Sequence, residues 1–124
     1  MKMSEIASIL DCRVLCCEDH MNSDVFSACG SDMMSDVLAY VKNQAVLLTG
    51  LVNTQVIRTA EMMDMVCVVF VRNKMPTEDI LRVAEESGIV VMTTKHRMYE
   101  ACGMLYASGL NRAEAGHAEG DGRE

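Results

Sequence analysis

Two uninterrupted apolar runs constrain this chain more than anything else in it: Val-Cys-Val-Val-Phe-Val at residues 66–71 and Ile-Val-Val-Met-Thr at 89–93. Strands that are apolar at every position, rather than at every second one, are buried on both faces. That is the habit of a parallel sheet covered by helices. The segment between the runs is helical in pattern. Pro76 and Thr77 open it, Glu78 and Asp79 sit at the positive end of the helix dipole, Ile80, Leu81 and Ala84 face inward, and Gly88 closes it. A third apolar run at 45–49 precedes a helix over 53–65 with Val56, Ile57, Ala60 and Met63 on one face. A last helix over 96–108 carries Ala101, Cys102, Leu105 and Tyr106 inward and stops at Gly109. Strand–helix alternation at this spacing predicts an α/β domain with a mostly parallel sheet and a βαβαβα core.

The first third is less regular. Residues 4–10 read as a short helix capped by Ser4, residues 13–17 as a short strand, and 25–29 as another. Ser31 is placed to cap a second helix whose apolar positions are Met34, Val37, Leu38 and Val41. One domain over 1–110 is expected, followed by a disordered acidic tail at 111–124 where apolar periodicity ends and His117 is a solvated bystander. Twelve methionines against few aromatics supply adaptable core filler, with some left for an oligomer contact.

A net charge of −7, without a basic stripe, excludes nucleic acid and anionic membrane as expected partners. No run is long enough for a signal peptide or a membrane helix, so a cytoplasmic location is expected. The six cysteines, Cys12, Cys16, Cys17, Cys29, Cys67 and Cys102, then read as reduced thiols. Cys12, Cys16, Cys17 and His20 lack the spacing of a zinc site, and Cys16 and Cys17 would point to opposite faces of a strand. Neither a metal nor a cofactor is expected.

Catalytic motifs are missing: no phosphate loop, dinucleotide fingerprint, nucleophile elbow or zincin helix occurs. The expected binding region is the carboxyl edge of the parallel strands, where ligands of open α/β sheets sit. It offers Thr49, Gly50 and Asn53, then Arg72 and Asn73, then Thr93, Thr94 and Lys95. Hydroxyls, amides and cations feeding helix amino termini suit an anionic ligand such as a nucleotide phosphate. Thr94 and Asn53 are also natural helix caps, and His96 reads as an exposed helix-start residue. Ser31 and Asp32 are added as candidate ligand-binding residues. Asp32 and Asp36, one helical turn apart, would share a face and could hold Mg²⁺, although a solvated helix start explains them more simply.

Residues 6–14, the segment Gly30-Ser31-Asp32-Met33-Met34-Ser35-Asp36-Val37-Leu38-Ala39, residues 54–60, Met75-Pro76-Thr77-Glu78-Asp79-Ile80 and residues 88–94 together give a pattern that resembles small stand-alone members of the DRTGG domain family. The literal Asp-Arg-Thr-Gly-Gly string is absent. Where other members place Gly-Gly before the proline, this chain has Arg72 and Asn73. The resemblance extends to the amino-terminal domain of HPr kinase/phosphorylase and to DRTGG domains of CBS-containing pyrophosphatases and of phosphotransacetylases. It implies a non-catalytic, homodimeric regulatory module that senses a ligand such as an adenine nucleotide. The alternative it implies is a structural accessory of an iron-hydrogenase-type redox complex. A metal-dependent enzyme using Asp32 and Asp36 is the third reading. Kinase activity is not expected without a phosphate loop.

Overall fold

The computed structural model describes residues 1–39 and 43–110. Five strands form one sheet in the order β1-β5-β4-β3-β2, where β1 is Arg13–Cys16, β2 Ser27–Gly30, β3 Ala45–Thr49, β4 Cys67–Phe70 and β5 Val90–Thr93. Strands β2 to β5 run parallel in continuous register, and β1 adds an antiparallel edge against β5. Every residue of β3, β4 and β5 is buried, as their unbroken apolar sequence requires.

The helices are α1 Met3–Leu10, α2 Met34–Val37, α3 Thr54–Met62, α4 Glu78–Ser87 and α5 Met98–Ala107. The parallel strands advance one place at a time in one direction. Right-handed crossovers then put α2, α3 and α4 on one face of the sheet. In accord with this, α3 packs on α2 and α4, while α1 packs on α5, which crosses β3. The result is a three-layer α/β sandwich whose two cores meet at the sheet. Among the described residues, no helix is long and apolar enough to cross a membrane.

Local chemistry sets most helix ends. Asn53 caps α3, its side chain accepting from Val56 N at 3.0 Å. Thr77 caps α4 through Ile80 N at 3.4 Å, and Gly88 ends it in the left-handed conformation at φ 70°. Other ends differ from expectation. Helix α1 begins at Met3, so Ser4 lies inside it, and Glu5 takes the exposed Lys2 N–H at 2.7 Å. Ser31 does not cap α2: its Oγ accepts from Met33 N at 3.0 Å, making a turn that delays the helix to Met34. Helix α5 starts two residues late, capped by the Glu100 carboxylate on Arg97 N at 3.1 Å. On α5 the Tyr106 ring, expected inside, is 64% exposed, because Ala101 and Leu105 already fill the space over the sheet. Val41 and the tail at 111–124 lie outside the described residues.

Candidate functional site at the carboxyl edge of the sheet

The parallel strands end in a short arc of polar groups. Just beyond β2, the turn at Ser31 aims the exposed Asp32 across the end of β3. There Asp32 Oδ1 accepts from Gly50 N at 2.7 Å and from the buried Thr49 Oγ1 at 3.1 Å. Thr49 Oγ1 in turn accepts from Leu51 N at 3.1 Å, so one carboxylate and one hydroxyl organise the whole β3–α3 connection. From the other side comes Arg72. A Cβ built on Gly50 would lie 3.0 Å from Arg72 Nη2 and 3.6 Å from Asp32 Oδ1. The guanidinium and the carboxylate thus converge on the Gly50 backbone.

Arg72 reaches that place through an unusual turn. Both Arg72 and Asn73 are left-handed, with φ of 60° and 59°. Their N–H groups donate to His96 O at 2.8 Å and to Thr94 O at 2.7 Å, which ties the end of β4 to the segment after β5. A left-handed conformation costs an L-residue about 1–2 kcal/mol, less for asparagine. Asp11, Cys17, Gln44 and Asp64 share this conformation elsewhere in the chain, and at Arg72 and Asn73 it is held by the two backbone hydrogen bonds. The side chains of Arg72, Asn73 and Lys74 are all exposed at this turn.

The remaining expected residues divide sharply. Asn53 is a cap at the edge of the arc. Thr93 and Thr94 are buried and occupied: Thr93 Oγ1 donates to Lys74 O at 2.7 Å and Thr94 Oγ1 to Leu10 O at 2.6 Å. Thr94 therefore does not cap α5, and it fixes the end of α1 to the sheet. Lys95 turns away, its Nζ 3.9 Å from Asp11. His96 is half-buried and precedes α5 rather than starting it. Asp36 lies in α2 while Asp32 lies ahead of it, so the two do not share a helical face.

Two features escaped the sequence. A surface groove of about 670 Å³ runs along α5, lined by Tyr99, Cys102, Met104 and Tyr106 among others, and Tyr99 is 90% exposed. Its signal was faint: apolar and aromatic side chains are spread around α5 instead of forming one stripe. The second feature is at the far end of the sheet. A bulge between Val14 and Cys16, then a left-handed Cys17 at φ 59°, turn both thiols to the same side. The expectation that Cys16 and Cys17 face opposite ways fails because the strand ends between them. All six cysteines are free. Burial raises every thiol pKa, to about 12 at Cys12 and Cys17 and well above the ordinary value at fully buried Cys67.

Comparison with known proteins rests on the fold and one family. No curated protein matches the chain. The structure resembles the CBS and DRTGG domains of the regulatory region of Clostridium perfringens pyrophosphatase, crystallised in complex with its activator diadenosine tetraphosphate. The TM-score is 0.68 at 15% identity, and the match covers 84% of this chain and 45% of that one. The chain described here therefore spans less than half of that regulatory region. The DRTGG domain model matches residues 5–108, nearly all of the described chain, with the three-layer fold and the strand-edge turn inside it: the chain belongs to the DRTGG domain family.

Proposed function

We propose that this chain is a non-catalytic, homodimeric regulatory module that binds an adenine nucleotide at the carboxyl edge of its sheet. The observation that carries the reading is the convergence of Asp32 and Arg72 on Gly50, backed by the strained Arg72-Asn73 turn. A guanidinium presents a rigid fork of donors matched to phosphate oxygens. A carboxylate can accept from ribose hydroxyls, the role acidic residues take in dinucleotide folds. Lys74, two residues from Arg72 on the same turn, adds charge for a second phosphate. On a chain of net charge −7, Arg72 and Lys74 set two cations on one exposed turn.

The resembling regulatory region, of CBS and DRTGG domains together, was crystallised with diadenosine tetraphosphate, which makes a nucleotide of this class the first ligand to test. Thermal unfolding with AMP, ATP and diadenosine tetraphosphate tests the proposal. A ligand at about 100 times its Kd stabilises the native state by about 2.7 kcal/mol, a readily measured shift in Tm. Arg72→Ala is expected to remove that shift while leaving the unliganded Tm within a few degrees. No shift with any of the three nucleotides would refute the nucleotide reading.

The groove along α5 supports the homodimer. Its exposed Tyr99 and Tyr106 and half-buried Met104 are residue types enriched at protein contacts, the rings being rigid and the thioether adaptable.

A further inference from the structure

At the end of the sheet opposite the nucleotide edge, Cys16, Cys17 and Glu85 bring two Sγ atoms and a carboxylate oxygen within 4.8 Å of one another. We propose that these three side chains form a binding site for one thiophilic divalent cation of the zinc type. Tetrahedral zinc holds sulfur at about 2.3 Å and carboxylate oxygen at about 2.0–2.2 Å, so donors around it stand roughly 3.5–4 Å apart. The observed cluster needs only a small closure to reach that geometry.

The backbone explains why adjacent cysteines can act together. On a regular strand, neighbouring side chains project to opposite faces. Here the bulge before Cys16 and the left-handed Cys17 break the alternation. Both thiols then meet the carboxyl-terminal end of α4. Cys16 Sγ lies 3.5 Å from Ile89 O, and Cys17 Sγ lies 3.9 Å from Ala84 O, one residue before Glu85. A left-handed non-glycine residue costs about 1 kcal/mol or more. At Cys17 this conformation also opens the short turn Glu18–His20, so the same backbone that starts the turn sets the second thiol beside the first.

Access and charge suit a cation. The thiols are 8% and 6% exposed, and a surface hollow of about 460 Å³ opens onto Cys16 between Leu81 and Glu85. Glu78 and Glu86 line it with Glu85, and Arg82 is engaged by Asp79 at 2.9 Å. His20 stands beside Gly88 at the same helix end but outside the donor cluster. Binding replaces the two thiol protons, which leave to solvent, by metal–sulfur bonds; no oxidant or reductant is involved.

The test is titration of the reduced, chelator-treated full chain with Co²⁺ and Cd²⁺, read by thiolate-to-metal charge-transfer absorption and by metal content after gel filtration. One metal per chain is expected, with a charge-transfer intensity matching two thiolates. Cys16→Ser and Cys17→Ser should each weaken binding by about 100-fold or more, and exposed Glu85→Gln by about tenfold, since even outer-shell changes at metal sites cost about 10–100-fold. Cys29→Ser/Cys102→Ser should leave binding unchanged. Circular dichroism confirms that each variant is folded, and Glu85→Gln remains decisive should a buried serine unfold the chain. Absence of the band in the native protein would overturn the proposal. So would a band that survives loss of Cys16 and Cys17, or one that disappears with Cys29 and Cys102.

Discussion

Arg72 is the residue on which the functional reading turns. Its φ of 60° and that of Asn73, 59°, occupy the two positions where the family resemblance puts glycines. Glycine adopts this conformation without steric cost, so the Gly-Gly that the resemblance implies for other members would meet the same backbone requirement that this chain meets with side chains. Function can explain that exchange, because a glycine cannot offer a guanidinium. Arg72→Gly is therefore expected to leave urea-unfolding stability unchanged or to raise it by up to about 1 kcal/mol, relief of strain being partly offset by a freer unfolded chain. The same variant should lose the nucleotide-induced Tm shift. A loss of stability of 2 kcal/mol or so would mean that the side chain is structural, against the scale of ordinary surface changes.

At the scale of elements, much of the fold was legible and the reasons are specific. Continuous apolar runs marked β3, β4 and β5, and Asn53, Thr77 and Gly88 marked helix ends, because each of those signals is local. Hydroxyls were read less well. Ser31, Thr93 and Thr94 all looked like caps or ligand groups, yet Thr94 bonds Leu10, 84 residues away in sequence. No local pattern contains a partner at that distance. The same limit hid the Cys16–Cys17–Glu85 cluster, which depends on a bulge and one left-handed residue. Two substitutions separate local from tertiary roles. Asn53→Ala, removing a true cap, should cost about 1 kcal/mol by chemical denaturation. Ser31→Ala should cost only a few tenths, because its turn lies at the exposed surface. Equal costs would show that Ser31 caps α2 after all.

For the whole molecule, six buried or half-buried thiols give stability a defined alkaline limit. A thiol whose pKa is raised by folding is favoured neutral in the native state. Its contribution is complete below the unfolded value of 9.0 and is lost as pH climbs toward about 12 at Cys12 and Cys17. Unfolding free energy should therefore be flat near neutrality in this respect and fall progressively above pH 9. Denaturation series across that range check it, and a rise in stability above pH 9 would contradict the burial of these thiols.

Assembly is the other property of this scale. The α5 groove predicts that sedimentation at micromolar concentration gives twice the 13.7 kDa chain mass, and that Tyr99→Glu shifts it toward the single chain. A native sample at single-chain mass would remove the dimer from the account. The most direct test of the central claim is an amide NMR titration of the full chain with ATP and with diadenosine tetraphosphate. The account predicts shift changes concentrated at Asp32, Gly50, Leu51, Arg72 and Asn73, absent in Arg72→Ala. Changes confined to the α5 groove or to the Cys16–Glu85 end of the sheet, or no changes at saturating nucleotide, would contradict it.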